Sequence, residues 1–475
     1  MQHTDTLYIG GAWIAATNGR PHAVVNPSTE EVVATVTLGS AADVDRAVQA
    51  ARRAFVSYSR STRQERIELL EAIIAVYQRR VPELAAAVSV EMGAPLELAN
   101  RRHAPSGLRH LNTTLAVLRD YQFEERLGST LILREPFGVC GFITPWNWPI
   151  NQIMCKLAPA LAAGCTCVLK PSEMAPLSAI LIAEILHEAG VPAGVFNLVH
   201  GDGATVGEAL VAHPGIDLIS FTGSAKAGIR VAKLAADSVK RVAQELGGKS
   251  ANLILDDAEL PSAVRAGVLH LLENSGQSCN APSRMFVHRR HYGEAIDIAV
   301  STVESVSVGE ASAPGVRMGP LSSRAHCERV QSYIRIGMEE GARIVTGGLG
   351  RPNGCERGFF TRPTIFADVR SGMQISREEI FGPVLCMIPY DDEDEAIRMA
   401  NDTSYGLSGY VSSSNADRAR RVAGCLRTGM VHINNAPPDA FAPFGGYKQS
   451  GNGREWGRFG FEEFLEIKAV TGSDR

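Results

Sequence analysis

From Gly138 the chain alternates short apolar runs with helical stretches, and this constrains the fold more than any other feature. The runs are GVCGFIT, CTCVLKPS, VFNLVHG and IDLISFTGS. Between and after them lie CKLAPALAAG, SAILIAEILHEAG, ATVGEALVAHP and AKAGIRVAKLAA. Strand-then-helix repetition predicts parallel βαβ units and a doubly wound sheet. A second α/β stretch follows from Asn252 to about Asn435, with ANLILDD, SRMFVHR, ARIVTGG, VLCMIPY and GMVHINN as strands. No Gly/Ser- or Pro-rich linker separates the two stretches.

Before the alternation, residues 41–118 repeat apolar positions at helical spacing, and Asp43 stands where a helix cap can lie. STLILRE (129–135) reads as a strand. The first twenty residues, with the Asn18-Gly19 turn signal, read as a β-hairpin and carry no basic, apolar leader. The last segment, GFEEFLEIKAVTGSDR, reads as a helix start running into a terminal strand. That strand would leave an open edge unless a second subunit covers it, which favours a homodimer or homotetramer.

The 475 residues predict about three domains at roughly 150 residues each. The net charge of −4 disfavours nucleic acid as a partner, and no apolar run is long enough for a membrane span. Nine cysteines cannot all pair, and none stands in a Cys-x-x-Cys spacing. The expectation is a reducing, cytoplasmic setting with no metal site and at most one reactive thiol.

Two segments carry candidate chemistry. ELGGKS begins at Glu245, and GQSCNAPSR centres on Cys279 in a polar loop. A thiol at a turn or helix start can be partly ionised by backbone N–H groups and attack a carbonyl carbon. A carboxylate such as Glu245 can then activate water. On residue types alone, Cys279 as a buried small residue and Glu245 as a solvated helix end is the more frequent situation. ITPWNWP (143–149) holds Asn147 between two tryptophans and two prolines, where its amide can face a developing oxyanion. KPSE (170–173) and FTGSAKAG (221–228) follow predicted parallel strands, where open α/β sheets bind ligands. GDGATVG (201–207) has one residue too many for a G-x-G-x-x-G fingerprint and reads as an ordinary βα turn.

Together with EEIFGPV (378–384) and PFGGYKQSGNGREWG (443–457), these motifs occur in one order, and in that order the chain resembles the NAD(P)-dependent aldehyde dehydrogenase superfamily over nearly its whole length. The resemblance implies an aldehyde dehydrogenase-like α/β fold. Two doubly wound domains are expected, for cofactor (1–117 and 135–247) and catalysis (248–446), with a small β oligomerisation element from 118–134 and 460–475. It implies a Cys279 thiohemiacetal, oxyanion support from Asn147 and the Cys279 N–H, and thioester hydrolysis by Glu245-activated water. Lys156 and Glu455 match proton-relay positions, and a structural ion pair explains them equally well.

For the cofactor, Lys170 and Glu173 resemble the pair that reads the adenine-ribose hydroxyls. A carboxylate there repels a 2′-phosphate, so NAD is expected ahead of NADP. Gly223 and Ser224 would face the pyrophosphate, Glu379 the nicotinamide ribose, and Phe381 and Trp146 the ring. By position, Trp148, Cys155, Ser278, Asn280 and Phe444 would line the pocket for a small-molecule aldehyde, with Trp and Phe suiting an apolar or aromatic one. Glu273 would bias the choice by charge if it faces the tunnel. The loop 434–444 would form the tunnel rim.

Three other readings remain. A CoA-acylating relative would not need Glu245. A catalytically silent relative would not need Cys279, Glu245 and Asn147 together. A papain-like thiol hydrolase would need a histidine partner, and none of the 12 histidines stands in such a motif.

Overall fold

The computed structural model describes residues 2–472; the outermost residues of the ranges expected to begin at 1 and end at 475 lie outside them. The alternating region forms an eight-stranded sheet. Its order is Gly451–Asn452, Arg241–Glu245, Leu218–Thr222, Val139–Ile143, Thr166–Lys170, Phe196–Leu198, Thr6–Ile9 and Ala12–Ala15. Every residue of Val139–Ile143, Thr166–Lys170 and Leu218–Thr222 is buried, as expected for parallel strands covered on both faces. Those three pair in parallel, as do Leu218–Thr222 and Arg241–Glu245.

The order matters for function. After Val139–Ile143 the chain adds strands on one side, then returns to add Leu218–Thr222 on the other. The order in which strands are added therefore reverses between these two parallel neighbours. A crevice opens at the carboxyl ends of strands at such a switch point.

The second stretch forms a seven-stranded sheet, ordered Arg343–Thr346, Thr364–Ala367, Val384–Tyr390, Arg284–His288, Ala251–Ile254, Ser408–Ser412 and Met430–Ile433. All five strands read from the sequence are there. Thr364–Ala367 and Ser408–Ser412 are additions, the second masked in the sequence by its Gly and Ser residues. A three-stranded antiparallel sheet joins Glu124–Leu127, Thr130–Pro136 and the terminal Leu465–Thr471.

Three local expectations change. The N-terminal hairpin turns at Gly10-Gly11, both at positive φ, and Asn18-Gly19 lies beyond its second strand. The helix Ala41–Tyr58 is capped by Ser40, while Asp43 sits three residues in and returns the capping box, accepting from the Ser40 backbone N–H at 2.9 Å. GDGATVG forms a π-helical turn, Gly203–Gly207, begun by the Asp202 carboxylate accepting from the Thr205 N–H at 2.6 Å.

Candidate active site

A cleft of about 620 Å³ opens at the switch point. Pro145–Asn147 follow the strand Val139–Ile143, and Gly223–Ser224 follow Leu218–Thr222. Glu245 ends the next strand, paired in register with Thr222. The second sheet's side contributes Cys279, Glu379 and Phe381. Residues far apart in the chain thus meet across one opening.

The backbone before Cys279 is folded back on itself. Asn274 (φ 54°), Ser275 (φ 58°) and Gly276 (φ 73°) are consecutive left-handed residues. Such conformations persist only where surrounding contacts hold them. Here the Asn274 Nδ2 donates to the Asn147 carbonyl at 2.9 Å, and the Ser275 hydroxyl to the Gly319 carbonyl at 2.8 Å. The Asn147 Nδ2 donates to the Gln277 carbonyl at 3.0 Å. The Ser322 N–H reaches the Gln277 Oε1 at 2.9 Å. Cys279 sits in the turn that follows, partly accessible from the cleft. Gly248 packs against its carbonyl so closely that a Cβ there would lie 2.3 Å from the oxygen.

Burial pushes the Cys279 thiol up from its ordinary pKa, and the carboxylates of Glu379, Glu245 and Glu455 push the same way. The lowering expected from backbone N–H groups is therefore overturned: a backbone contact acts downward but is outweighed. In this arrangement the thiol keeps its proton until a base takes it.

Glu245 is not a solvated helix end. It terminates a strand, is 5% exposed, and neither carboxylate oxygen has a hydrogen-bond partner. Burial, then the Glu455 charge, raise its pKa well above the usual carboxylate range, with Lys156 opposing. Lys156, on the helix Pro149–Ala163, forms an ion pair with Glu455 and donates to the Thr222 hydroxyl at 2.8 Å. Burial pulls the Lys156 pKa down, and Glu455, Cys155 and Glu245 together more than restore it. Cys155 donates to the second oxygen of Glu455 at 3.2 Å.

The other end of the cleft has the features of a nucleotide cradle. Ser224 caps the helix Ala225–Ala236, accepting from the Ala227 N–H at 3.3 Å. The first turn of that helix lines the cleft and leaves N–H groups for an anion. Glu379 accepts the Gly248 N–H at 2.9 Å, and burial lifts its pKa to about 7. Gly247 leaves room for this carboxylate, which a Cβ, falling 2.2 Å from it, would push aside. Trp146 meets the Phe381 ring edge-on at 5.6 Å. Lys170 and Glu173 form an ion pair at 3.4 Å at the end of the neighbouring strand, outside the cleft wall proper.

The five residues expected to line a substrate pocket are not part of this wall, although Ser278 and Asn280 adjoin Cys279 in the chain. The Trp148 Nε1 donates to the Ser278 hydroxyl at 2.8 Å, next to Cys279. The Tyr410 hydroxyl donates to the Asn280 carbonyl at 2.8 Å. Phe444 stacks on Trp456 at 4.7 Å and shares two backbone hydrogen bonds with Glu455. Cys155 faces Glu455 instead of a tunnel. Glu273 pairs with Arg101 and Arg102, each at 3.4 Å, and borders a separate hollow. Its charge is compensated away from Cys279.

The aldehyde dehydrogenase family model matches residues 13–470. The chain belongs to the aldehyde dehydrogenase family.

Among similar proteins is 3-succinoylsemialdehyde-pyridine dehydrogenase of a Pseudomonas species, 58% identical over 473 residues and 99% of both chains. A crystal structure of a mutant aldehyde dehydrogenase C from Pseudomonas syringae, complexed with NAD+ and octanal, is 51% identical with a TM-score of 0.99. It covers 100% of this chain and 98% of that one. Betaine aldehyde dehydrogenase from Staphylococcus aureus, in complex with NAD+, is 37% identical over 99% of this chain and 98% of its own, with a TM-score of 0.96.

In this aldehyde dehydrogenase, several cleft residues escaped the reading by motif. His326, Arg329 and Tyr333 come from the helix Arg324–Glu339, and Gln152 and Tyr405 complete the wall. His326 hydrogen-bonds the Phe381 carbonyl at 2.7 Å, with its pKa lowered to about 4 by burial. The Arg329 guanidinium donates to the Glu379 carbonyl at 2.7 Å. Residues 326, 329 and 333 share one helix face, and helical spacing was the only sequence signal for them. No helix among the described residues is long and apolar enough to cross a membrane.

Proposed function

We propose that this aldehyde dehydrogenase oxidises an aldehyde to its carboxylic acid with NAD, through a thioester on Cys279. One observation carries this reading. Glu245, a buried carboxyl with no partner of its own, shares the cleft wall with Cys279 and Asn147. A buried carboxyl keeps its proton more readily than usual, which suits a group that takes one from water and later releases it.

The cradle fits a dinucleotide. Phosphate oxygens would lie at Gly223 and Ser224, the nicotinamide ribose at Glu379, and the ring near Phe381 and Trp146. Lys170 and Glu173 would meet the adenine ribose, with the Glu173 carboxylate rejecting a 2′-phosphate. Bound NAD supplies the acceptor for the electron pair leaving the aldehyde carbon. The protein does the rest. The Cys279 thiol gives its proton up to solvent and its sulfur bonds the aldehyde carbon, while the Asn147 amide and the Cys279 N–H hold the oxygen. After oxidation, water adds to the thioester carbon as Glu245 takes its proton. The carbon–sulfur bond then breaks, releasing the acid and the thiolate.

Ser278 and Asn280 adjoin Cys279 in the chain, Trp148 bonds Ser278, and with Phe444 these side chains would favour an apolar or aryl aldehyde. The names of two relatives, one dehydrogenating a pyridine semialdehyde and one holding octanal, point the same way. The three-stranded sheet leaves Ile467 and Leu127 about 70% exposed. A second copy would cover that face in a homodimer or homotetramer. All nine thiols are free, which suits a reducing cytoplasm.

An aldehyde panel with NAD or NADP, read by reduced-cofactor absorbance, tests the reading. Apolar and aryl aldehydes with NAD should be oxidised fastest, and Cys279→Ala should abolish the signal. Acyl-CoA as the main product in the presence of CoA would contradict it.

A further inference from the structure

Behind Glu245, on the side away from Cys279, lies a small inner cavity. Its free space is about 10 Å³, close to the ~10–15 Å³ that holds one water. Glu245 borders both this cavity and the cleft, so its carboxyl joins the two. Its lining mixes apolar residues such as Leu218, Ala243 and Phe464 with polar groups, Lys156, Gln244, Arg454, Glu455 and Glu463 among them.

The two outer carboxylates are not equivalent. Both oxygens of Glu455 are engaged, one by Lys156 and the other by the Cys155 thiol. A carboxylate held by two donors is a poor stopping place for a proton. Glu463, on the segment between the helix Gly457–Glu462 and the final strand, accepts one hydrogen bond, from the Arg454 N–H to its Oε1 at 2.9 Å. It is half-buried, so it faces both the cavity and solvent.

We propose that Glu463 is the exit for the proton that Glu245 takes from the hydrolytic water, reached through a water in the inner cavity. This rests on the role given to Glu245 above. Water adds its oxygen to the thioester carbon and gives one proton to Glu245. The carbon–sulfur bond breaks and sulfur keeps the electron pair. Glu245 passes the proton to the cavity water, which gives one of its own to the Glu463 Oε2. Glu463 releases it to solvent, and both carboxylates return to their starting charge. Glu455 acts as a positioning residue that anchors Lys156 at the wall.

The environment of Glu463 supports the assignment. Burial lifts its carboxyl above the usual range and Glu455 adds to this, while the Arg454 N–H and the charges of Arg241 and Arg454 oppose. Lys156, Cys155 and Glu245 are the remaining ionisable groups at the cavity. A raised carboxyl can accept a proton nearer neutrality than an exposed one.

Hydrolysis of p-nitrophenyl acetate tests this without knowledge of the aldehyde. A nitrophenol burst reads acylation of Cys279, and the later steady phase reads deacylation. Glu463→Ala should keep the burst rate and lower the steady phase about tenfold, below the ~10²–10⁴ of a group acting directly on the reacting water. Imidazole should restore the steady phase in a concentration-dependent, saturable way, and Glu463→Asp should stay near native. Glu463→Gln keeps the shape and can still accept from Arg454, so it carries the same comparison should the alanine variant not fold. An unchanged steady phase in both neutral variants overturns the exit, as does a loss that imidazole leaves unmoved. Failure of the reading beneath is distinct: Cys279→Ala would then retain the burst.

Discussion

Asn147→Ala removes the side chain that the account places over the reacting oxygen. An amide carries two donor hydrogens. In the structure one of them is held by the Gln277 carbonyl at 3.0 Å, and the second remains for the cleft beside Cys279. The side chain is 3% exposed and its own backbone carbonyl is held by Asn274, so it meets the oxyanion without reorganisation. Loss of one such preorganised donor costs about 2.7–4 kcal/mol of transition-state stabilisation, or about 10²–10³ in rate. The Gln277 carbonyl retains the longer 3.4 Å contact from Asn274, so the folding cost should be about 1 kcal/mol. Rapid mixing of enzyme and NAD with octanal or benzaldehyde, followed at the reduced-cofactor band, reads the acylation rate. It should fall about 150-fold for alanine, the equivalent of ~3 kcal/mol, with KM little changed. Asn147→Asp should be slower still, because it keeps the volume but places a carboxylate near Glu245 and Cys279. Acylation within fivefold of native in a folded alanine variant would refute this role.

The thiol of Cys279 and the carboxyl of Glu245 both hold protons that burial helps retain, so turnover should climb from neutral into alkaline pH; a flat or falling profile would count against both roles. Glu379 has a folded-state pKa raised to about 7 from 4.5. The folded state therefore binds more protons than the unfolded one between those values, and this residue's contribution to stability falls as pH rises through that window. Glu379→Gln should melt higher than native at pH 8, match it near pH 4, and bind NAD more weakly by calorimetry. Glu173→Gln removes the charge facing a 2′-phosphate, so kcat/KM with NADP should rise about tenfold or more; unchanged cofactor preference would move NAD discrimination elsewhere.

The sequence was most legible where chemistry demands particular residues in particular turns. Cys279, Glu245 and Asn147 stand in short motifs, and the structure gathers all three at one cleft. The parallel strands were equally plain, because burial on both faces leaves continuous apolar runs such as Val139–Ile143. Electrostatics was not legible. A polar loop around Cys279 suggests a lowered pKa, yet the thiol is raised by burial and by three carboxylates, one of them reaching it from residue 455. The position of Glu273 before Cys279 suggests a charge that tunes substrate choice, whereas the fold pairs it with Arg101 and Arg102. Cys155, placed by position in a substrate pocket, hydrogen-bonds Glu455, a partner three hundred residues away in the chain. Such pairings depend on tertiary packing, for which local spacing carries no signal.

The account's central claim is a thioester on Cys279 that Glu245 clears. Glu245→Gln, mixed with NAD and an excess of octanal, should release one equivalent of reduced cofactor and stop. Intact-mass and peptide mass spectrometry of the quenched protein should then find one octanoyl group per chain, on the peptide containing Cys279. Unmodified protein after that first turnover, or an acyl group on another cysteine, would contradict the claim.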